Sequence, residues 1–161
     1  MGKGYDVAQI CVNGHVINSS SESYPQYNKN FCDQCGAETI TKCRHCGREI
    51  KGDYLDVQGF IIESFKKPSF CDNCGKPYSW IESRILAAQE LAKKTEGLSS
   101  EEKDILKNSI DDIVRDTPSS QVAALRFKNI MAKLGKVVAD MFKDILAEIA
   151  SEAAKKVIWG R

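Results

Sequence analysis

The residues with the most specific chemistry are seven cysteines and one histidine, arranged in four short pairs. These are Cys11-Val-Asn-Gly-His15, Cys32-Asp-Gln-Cys35, Cys43-Arg-His-Cys46 and Cys71-Asp-Asn-Cys74. Each Cys-x-x-Cys pair is followed by a glycine: Gly36, Gly47 and Gly75. That is the grammar of a zinc knuckle, in which a tight turn aims two sulfurs at one ion and glycine lets the backbone return with positive φ. In the first pair Asn13-Gly14 makes the turn and His15 replaces the second thiolate. Zinc takes four tetrahedral ligands, so Cys11, His15, Cys32, Cys35, Cys43, Cys46, Cys71 and Cys74 close two sites with no cysteine left over. The expectation is two structural Zn2+ ions. An odd number of cysteines could not be consumed by disulfides alone.

Sequential pairing puts Cys11, His15, Cys32 and Cys35 on one ion and Cys43, Cys46, Cys71 and Cys74 on the other. The alternative is a cross-brace that joins the first pair to the third and the second to the fourth. The short link from Gly36 to Lys42 favours two consecutive zinc ribbons. His45, inside the third knuckle, reads as a solvent-facing residue rather than a ligand.

These ligands must be positioned by very small elements. Residues 16–31 and 47–70 are long enough for hairpin strands, and Val16-Ile17 and the stretch 53–65 carry β-branched and aromatic residues. A ribbon of about forty residues is near the size at which an apolar core alone fails, whereas a structural zinc contributes ~10–16 kcal/mol of apparent folding free energy. Ile10, Val12, Phe31, Ile40, Ile50, Tyr54, Leu55 and Phe70 are the expected thin cores.

All cysteines, three of the four prolines and eight of the eleven glycines precede residue 79; the rest of the chain reads as helix. The predicted organisation is therefore a small mixed α+β protein. Residues 1–78 form a tandem zinc-ribbon region, with ribbon one at about 7–40 and ribbon two at about 41–78, and 79–161 form a helical region. Ser79-Trp80-Ile81-Glu82 and Ser99-Ser100-Glu101-Glu102 read as capped helix starts, and Thr117-Pro118 as a stop. Ser119 or Ser120 then caps a third helix predicted to run from about 120 to 158. Along it Phe127, Met131, Leu134, Val138, Met141 and Ile145 make a heptad seam that Glu148 breaks. Such a helix is ~58 Å long, more than two helices of about sixteen residues can cover. This mismatch predicts self-association through Leu134, Val138, Met141 and Ile145.

The chain has 161 residues, 42% apolar and 28% charged, with a net charge of +1. Nothing global draws it to nucleic acid or an anionic membrane. The first ten residues lack the apolar run of a signal peptide, position 6 is Asp where a myristoylation signal wants Ser or Thr, and no stretch approaches about 18 consecutive apolar residues. A cytoplasmic location is expected, where clustered thiols mean metal rather than disulfides.

Several of these segments carry a resemblance. Cys11 to His15, Phe31-Cys32 to Gly36, Gly52-Asp53-Tyr54, Cys71 to Pro77, Val114 to Pro118 and Ser151 to Lys156 look like an uncharacterised bacterial family, catalogued as a domain of unknown function with zinc-ribbon motifs. The resemblance covers almost the whole chain and implies a bacterial cytosolic protein. It lends no activity.

Catalysis finds no support in the residues. Both quartets are full where a catalytic zinc keeps a position open, and no Walker loop, nucleophile elbow or His-Glu-x-x-His is present. Asp111-Asp112 reads as solvated surface. The leading expectation is a non-enzymatic adaptor, with ribbons for recognition of a protein partner and a helical tail for homo-oligomerisation or docking. A nucleic-acid-binding regulator is the first alternative, resting on Lys42, Arg44, Arg48 and Lys51 around the third knuckle. A membrane-active or defence effector is the second. It would rest on the amphipathic stretch with Val137, Val138, Met141, Phe142, Ile145, Leu146, Ile149 and Trp159, but acids on its polar face argue against membrane binding.

Overall fold

A computed structural model describes residues 4–160. Met1 to Lys3 of the signal-peptide reading and Arg161 of the helical region lie outside the described residues. The fold is mixed α+β: two three-stranded antiparallel sheets, then five helices. The chain divides into two compact units, Met1–Glu82 and Ser83–Arg161.

The first unit contains strands β1 (Gly4–Val7), β2 (Gln9–Cys11), β3 (Val16–Asn18), β4 (Thr39–Ile40), β5 (Lys51–Leu55) and β6 (Ile61–Glu63), with a 3-10 turn at Pro25–Tyr27. The sheet orders are β3-β2-β4 and β1-β5-β6. The second order adds to the later hairpin a strand that comes from the start of the chain. β1 precedes the first knuckle, yet it pairs with the hairpin that lies between the third and fourth, with Gly4 opposite Leu55 and Val7 opposite Lys51. Ala8 alone separates β1 from β2, so one extended segment serves both sheets.

The junction is close. A Cβ on Gly52 would lie 2.0 Å from the Ser19 carbonyl oxygen, so only glycine fits. The next N–H, of Asp53, donates to that same oxygen at 2.9 Å. The buried Asp53 carboxylate accepts from Ser19 Oγ at 2.6 Å, Ser20 Oγ at 2.8 Å and the Phe65 N–H at 2.9 Å. Asp6 is also buried, and accepts from the N–H groups of Val7, Glu22 and Ser23. Burial alone would raise its pKa; the Ser23 hydroxyl and these N–H donors more than offset that and hold it below the usual aspartate range. Ile10, Ile50 and Leu55 are buried as expected, but Phe31 is exposed. It stands in the short bridge to Glu38 that flanks its knuckle.

The helices are α1 (Ser79–Lys94), α2 (Ser100–Val114), α3 (Ser120–Met131), α4 (Lys136–Leu146) and α5 (Glu152–Trp159). α1 starts within the first unit. Its first intrahelical bond runs from the Glu82 N–H to the Tyr78 carbonyl, so Ser79 is already helical, and its hydroxyl donates to the Val12 carbonyl at 2.9 Å. The capping box at α2 is present: Ser99 Oγ accepts from the Glu102 N–H and Glu102 Oε1 accepts from the Ser99 N–H, both at 3.1 Å. Ser120 is buried instead of capping α3, donating to the Arg115 carbonyl and accepting from the Thr117 N–H.

The long third helix is not formed. Residues 120–159 hold three helices, and the last has 8 residues. Two tight bonds, Lys133 N–H to Ile130 carbonyl and Leu134 N–H to Met131 carbonyl, close α3, and Gly135 turns extended (φ −65°, ψ 156°) before α4. At the second break Ser151 is extended, accepts from the Ala154 N–H at 3.3 Å and donates its own N–H to the Ile113 carbonyl of α2 at 2.8 Å. Folding back lets Phe142 meet Phe127 edge-on, ring centroids 5.8 Å apart. A straight helix would hold those two residues ~22 Å apart. The core of this unit is Leu106, Ile110, Ile113, Phe127, Phe142 and Leu146, all fully buried. In the predicted seam only Phe127 is buried, whereas Met141 is exposed. Glu148, which broke the seam, pairs with Arg84 at 3.0 Å, and Arg84 also donates to the Ile145 carbonyl at the end of α4. No continuous ~58 Å apolar stripe is therefore left among the described residues to demand self-association. No helix among the described residues is long and apolar enough to cross a membrane.

Candidate metal centres

The knuckles are built almost identically. In each, the glycine has positive φ (97°, 74°, 79° and 74° for Gly14, Gly36, Gly47 and Gly75). The glycine N–H donates to the carbonyl of the leading cysteine, at 2.8–2.9 Å throughout. In the three Cys-x-x-Cys knuckles, flanking bridges Phe31 to Glu38, Lys42 to Glu49 and Phe70 to Pro77 clamp the ends. Local sequence thus dictates the turn, and the turn fixes the direction of both sulfurs.

The turns converge in sequential pairs. Cys11, His15, Cys32 and Cys35 form one cluster and Cys43, Cys46, Cys71 and Cys74 the other, with all four donor atoms of each within 4.8 Å of one another. Every predicted ligand is placed in a cluster, and the cross-brace is excluded. His45 is exposed and outside both. Sulfur separations are 3.8 Å (Cys11 to Cys35), 3.8 Å (Cys43 to Cys74) and 3.6 Å (Cys46 to Cys71). A tetrahedron with Zn–S of ~2.3 Å has edges of ~3.8 Å. His15 presents Nδ1, 3.4 Å from Cys11 Sγ and 3.5 Å from Cys32 Sγ. The shorter Zn–N bond of ~2.0 Å predicts an edge of ~3.5 Å. The sulfurs are far beyond disulfide length, ~2.05 Å. The two clusters fit two structural zinc ions.

Electrostatics around the thiols suit a cation. The Asn13 side-chain amide donates to Cys35 Sγ at 3.3 Å and, with the Ala37 N–H, pushes this thiol down to about 6. Burial opposes the charge on Cys71, but the N–H groups of Cys74 and Asn73 bring it to about 6. Cys74 goes the other way. The Lys76 N–H favours its thiolate, yet burial and the thiols of Cys71, Cys43 and Cys46 push it up to about 11. Four like charges cannot share this space without a counter-ion; a divalent cation reverses the repulsion and lets all four sulfurs ionise.

Two aromatic residues missed as site elements line the centres. Trp80 is buried with its Cβ where a side chain on Gly14 would stand, 2.8 Å away, and its indole N–H donates to the Pro68 carbonyl at 3.0 Å. Tyr78 stacks on Trp80 at 4.6 Å between centroids, and burial followed by the adjacent Cys71 thiolate keeps its phenol protonated well above the usual range. The signal was their place directly after the last knuckle, in Pro77-Tyr78-Ser79-Trp80.

The match of a bacterial family over residues 4–158, described as an uncharacterized protein conserved in bacteria, takes in both metal centres, four helices and all but the last residue of α5. The chain belongs to the DUF2321 family. No similar curated protein and no similar solved structure was found. The centres of this DUF2321 chain are therefore read on their own geometry. Each cluster supplies four donors, which is the arrangement of a structural ion rather than one that holds a water.

Proposed function

We propose that the chain is a non-enzymatic interaction protein, in which two zinc ions hold a small scaffold that presents an apolar surface to a protein partner. The observation that carries this reading is the β5–β6 hairpin. Val57, Phe60, Ile61 and Ile62 are 61, 71, 54 and 56% exposed. A metal-held unit with a scant interior gains nothing in stability from leaving four large apolar side chains in water. Exposed apolar clusters of this kind mark contact surfaces. β6 is an edge strand bonded to β5 alone, so its outer backbone groups add a second means of capture.

The nucleic-acid reading is weaker. Arg44 pairs with Glu38, and Arg48 and Lys51 share Asp72, at 3.2 and 3.0 Å, so two carboxylates offset half the charge of the basic cluster. The membrane reading loses its long amphipathic helix. Homo-oligomerisation keeps one local support, the exposed Val137 and Met141 on α4.

Phe60→Ser with Ile62→Ser tests the proposal, because neither side chain fills the interior. The variant should retain two zinc ions by native mass spectrometry and lose the protein that photocrosslinks through a benzophenone residue placed at position 61. A crosslinked partner that is retained in full by the double variant would sink the reading. Sedimentation of wild type and variant side by side identifies the partner as a second copy if only the wild type self-associates.

A further inference from the structure

We infer that the two zinc sites load as one unit, so that an ion in either site raises the affinity of the other and the chain passes between a zinc-free and a doubly loaded form. The inference rests on the zinc reading of both clusters. Three observations carry it. First, the segment from β1 to β2 runs without interruption from the sheet of the second site to Cys11, a ligand of the first. Strand β1 cannot hold its place against β5 while β2 is unfolded, since only Ala8 lies between them, and the Ala8 N–H itself donates to the Ile50 carbonyl at 2.8 Å.

Second, Ser19 and Ser20, which follow the first knuckle, supply two of the donors to the buried Asp53 carboxylate on β5. Release of the first ligand set strips that carboxylate of both hydroxyl donors and leaves it the Phe65 N–H alone, and a buried, under-partnered charge is strongly unfavourable. Gly52 seats its backbone against Ser19 so closely that the two segments form one packed body.

Third, the start of α1 bears on both centres. Trp80 covers Gly14 in the first knuckle, and its stacking partner Tyr78 stands beside Cys71 in the fourth. Lys67, just before the fourth knuckle, donates to the Gly14 carbonyl at 2.7 Å.

Zinc binding to a site that is unfolded without metal is folding free energy. Where the folded form of one site requires the surface of the other, that free energy is shared, and the coupling is reciprocal. The β5–β6 hairpin lies in the shared sheet. Its apolar surface is therefore presented by the doubly loaded chain alone, which makes zinc supply an on–off condition for recognition.

The test uses the full chain, stripped of metal and given a single molar equivalent of zinc, and reads the species by native mass spectrometry. Coupled loading gives zero-ion and two-ion species in excess over the one-ion species. Independent sites give about half or more of the chains with one ion, and that result overturns the inference. A chain that binds no zinc under replete conditions overturns the zinc reading as well, so the two failures are distinguishable. Cys32→Ser supplies the second arm. Zinc affinity at the untouched four-cysteine site, measured by competition with a chromophoric chelator, should fall ~10-fold or more. An unchanged affinity there overturns the coupling.

Discussion

The zinc-held unit and the helical unit solve one problem with different means. In Ser83–Arg161 six large apolar side chains from α2, α3 and α4 are fully buried together. In Met1–Glu82 the strands have two to five residues, and among the described residues the largest fully buried side chains are Trp80, Ile10 and Ile50 alongside Cys11 and Cys71. Its interior is metal ligands and satisfied polar groups such as Asp6, Asp53 and Ser20 as much as hydrocarbon. A unit that folds on coordination bonds can leave aromatic and aliphatic residues outside. A unit that folds on burial has to draw them in.

The largest expected effect separates the two units outright. Removing zinc with a strong chelator withdraws ~10–16 kcal/mol of apparent stability from the first unit and none from the second. In a Trp159→Phe background Trp80 is the sole tryptophan. Its emission should shift to the red on chelation, while most of the helical circular dichroism at 222 nm persists. Helical signal lost in step with the Trp80 shift would show that the second unit depends on metal too.

The reverse perturbation comes next. Phe127 is fully buried and meets Phe142 edge-on, so Phe127→Ala should cost the helical unit ~3–5 kcal/mol. Two zinc ions should still be present by native mass spectrometry. Loss of metal in this variant would refute the separation of the units from the opposite side.

The two units also differed in what their sequence disclosed. The metal centres were legible ligand by ligand because a knuckle is local: five residues, a glycine among them, set the turn, and the tetrahedral count does the rest. Sequential pairing followed from chain distance. The β1–β5 pairing was not legible, because Gly4 to Val7 carry no mark of a partner almost fifty residues away, and strand pairing at that range is decided by packing. Gly52 was the available hint, as a glycine inside a strand often marks a close backbone approach. In the helical unit the start at Ser99 was legible from its capping box. The heptad spacing misled, since it persisted across Gly135 and outweighed a residue that commonly stands at a helix end. Ser151-Glu152, a cap followed by an acid, was the second missed sign.

The smallest effect examines that break directly, and it depends on sign rather than size. Gly135 sits at the N-cap of α4 with an ordinary φ of −65°, and a Cβ there meets nothing within 4 Å, so steric effects do not intrude. At an N-cap serine is better than glycine by a few tenths of a kcal/mol, because its hydroxyl accepts from a first-turn N–H, and alanine is worse than serine by about 1 kcal/mol. Within an uninterrupted helix the order changes: alanine is better than glycine by about 1 kcal/mol, with serine between them. Urea unfolding of the helical signal at constant zinc should therefore rank Gly135→Ser above wild type and Gly135→Ala below it. Ser151→Ala, which removes the cap of α5, should cost ~1 kcal/mol in the same assay. If Gly135→Ala is instead the most stable of the three, the segment is a continuous helix. The long apolar stripe would then return, and with it the need for another surface to cover it.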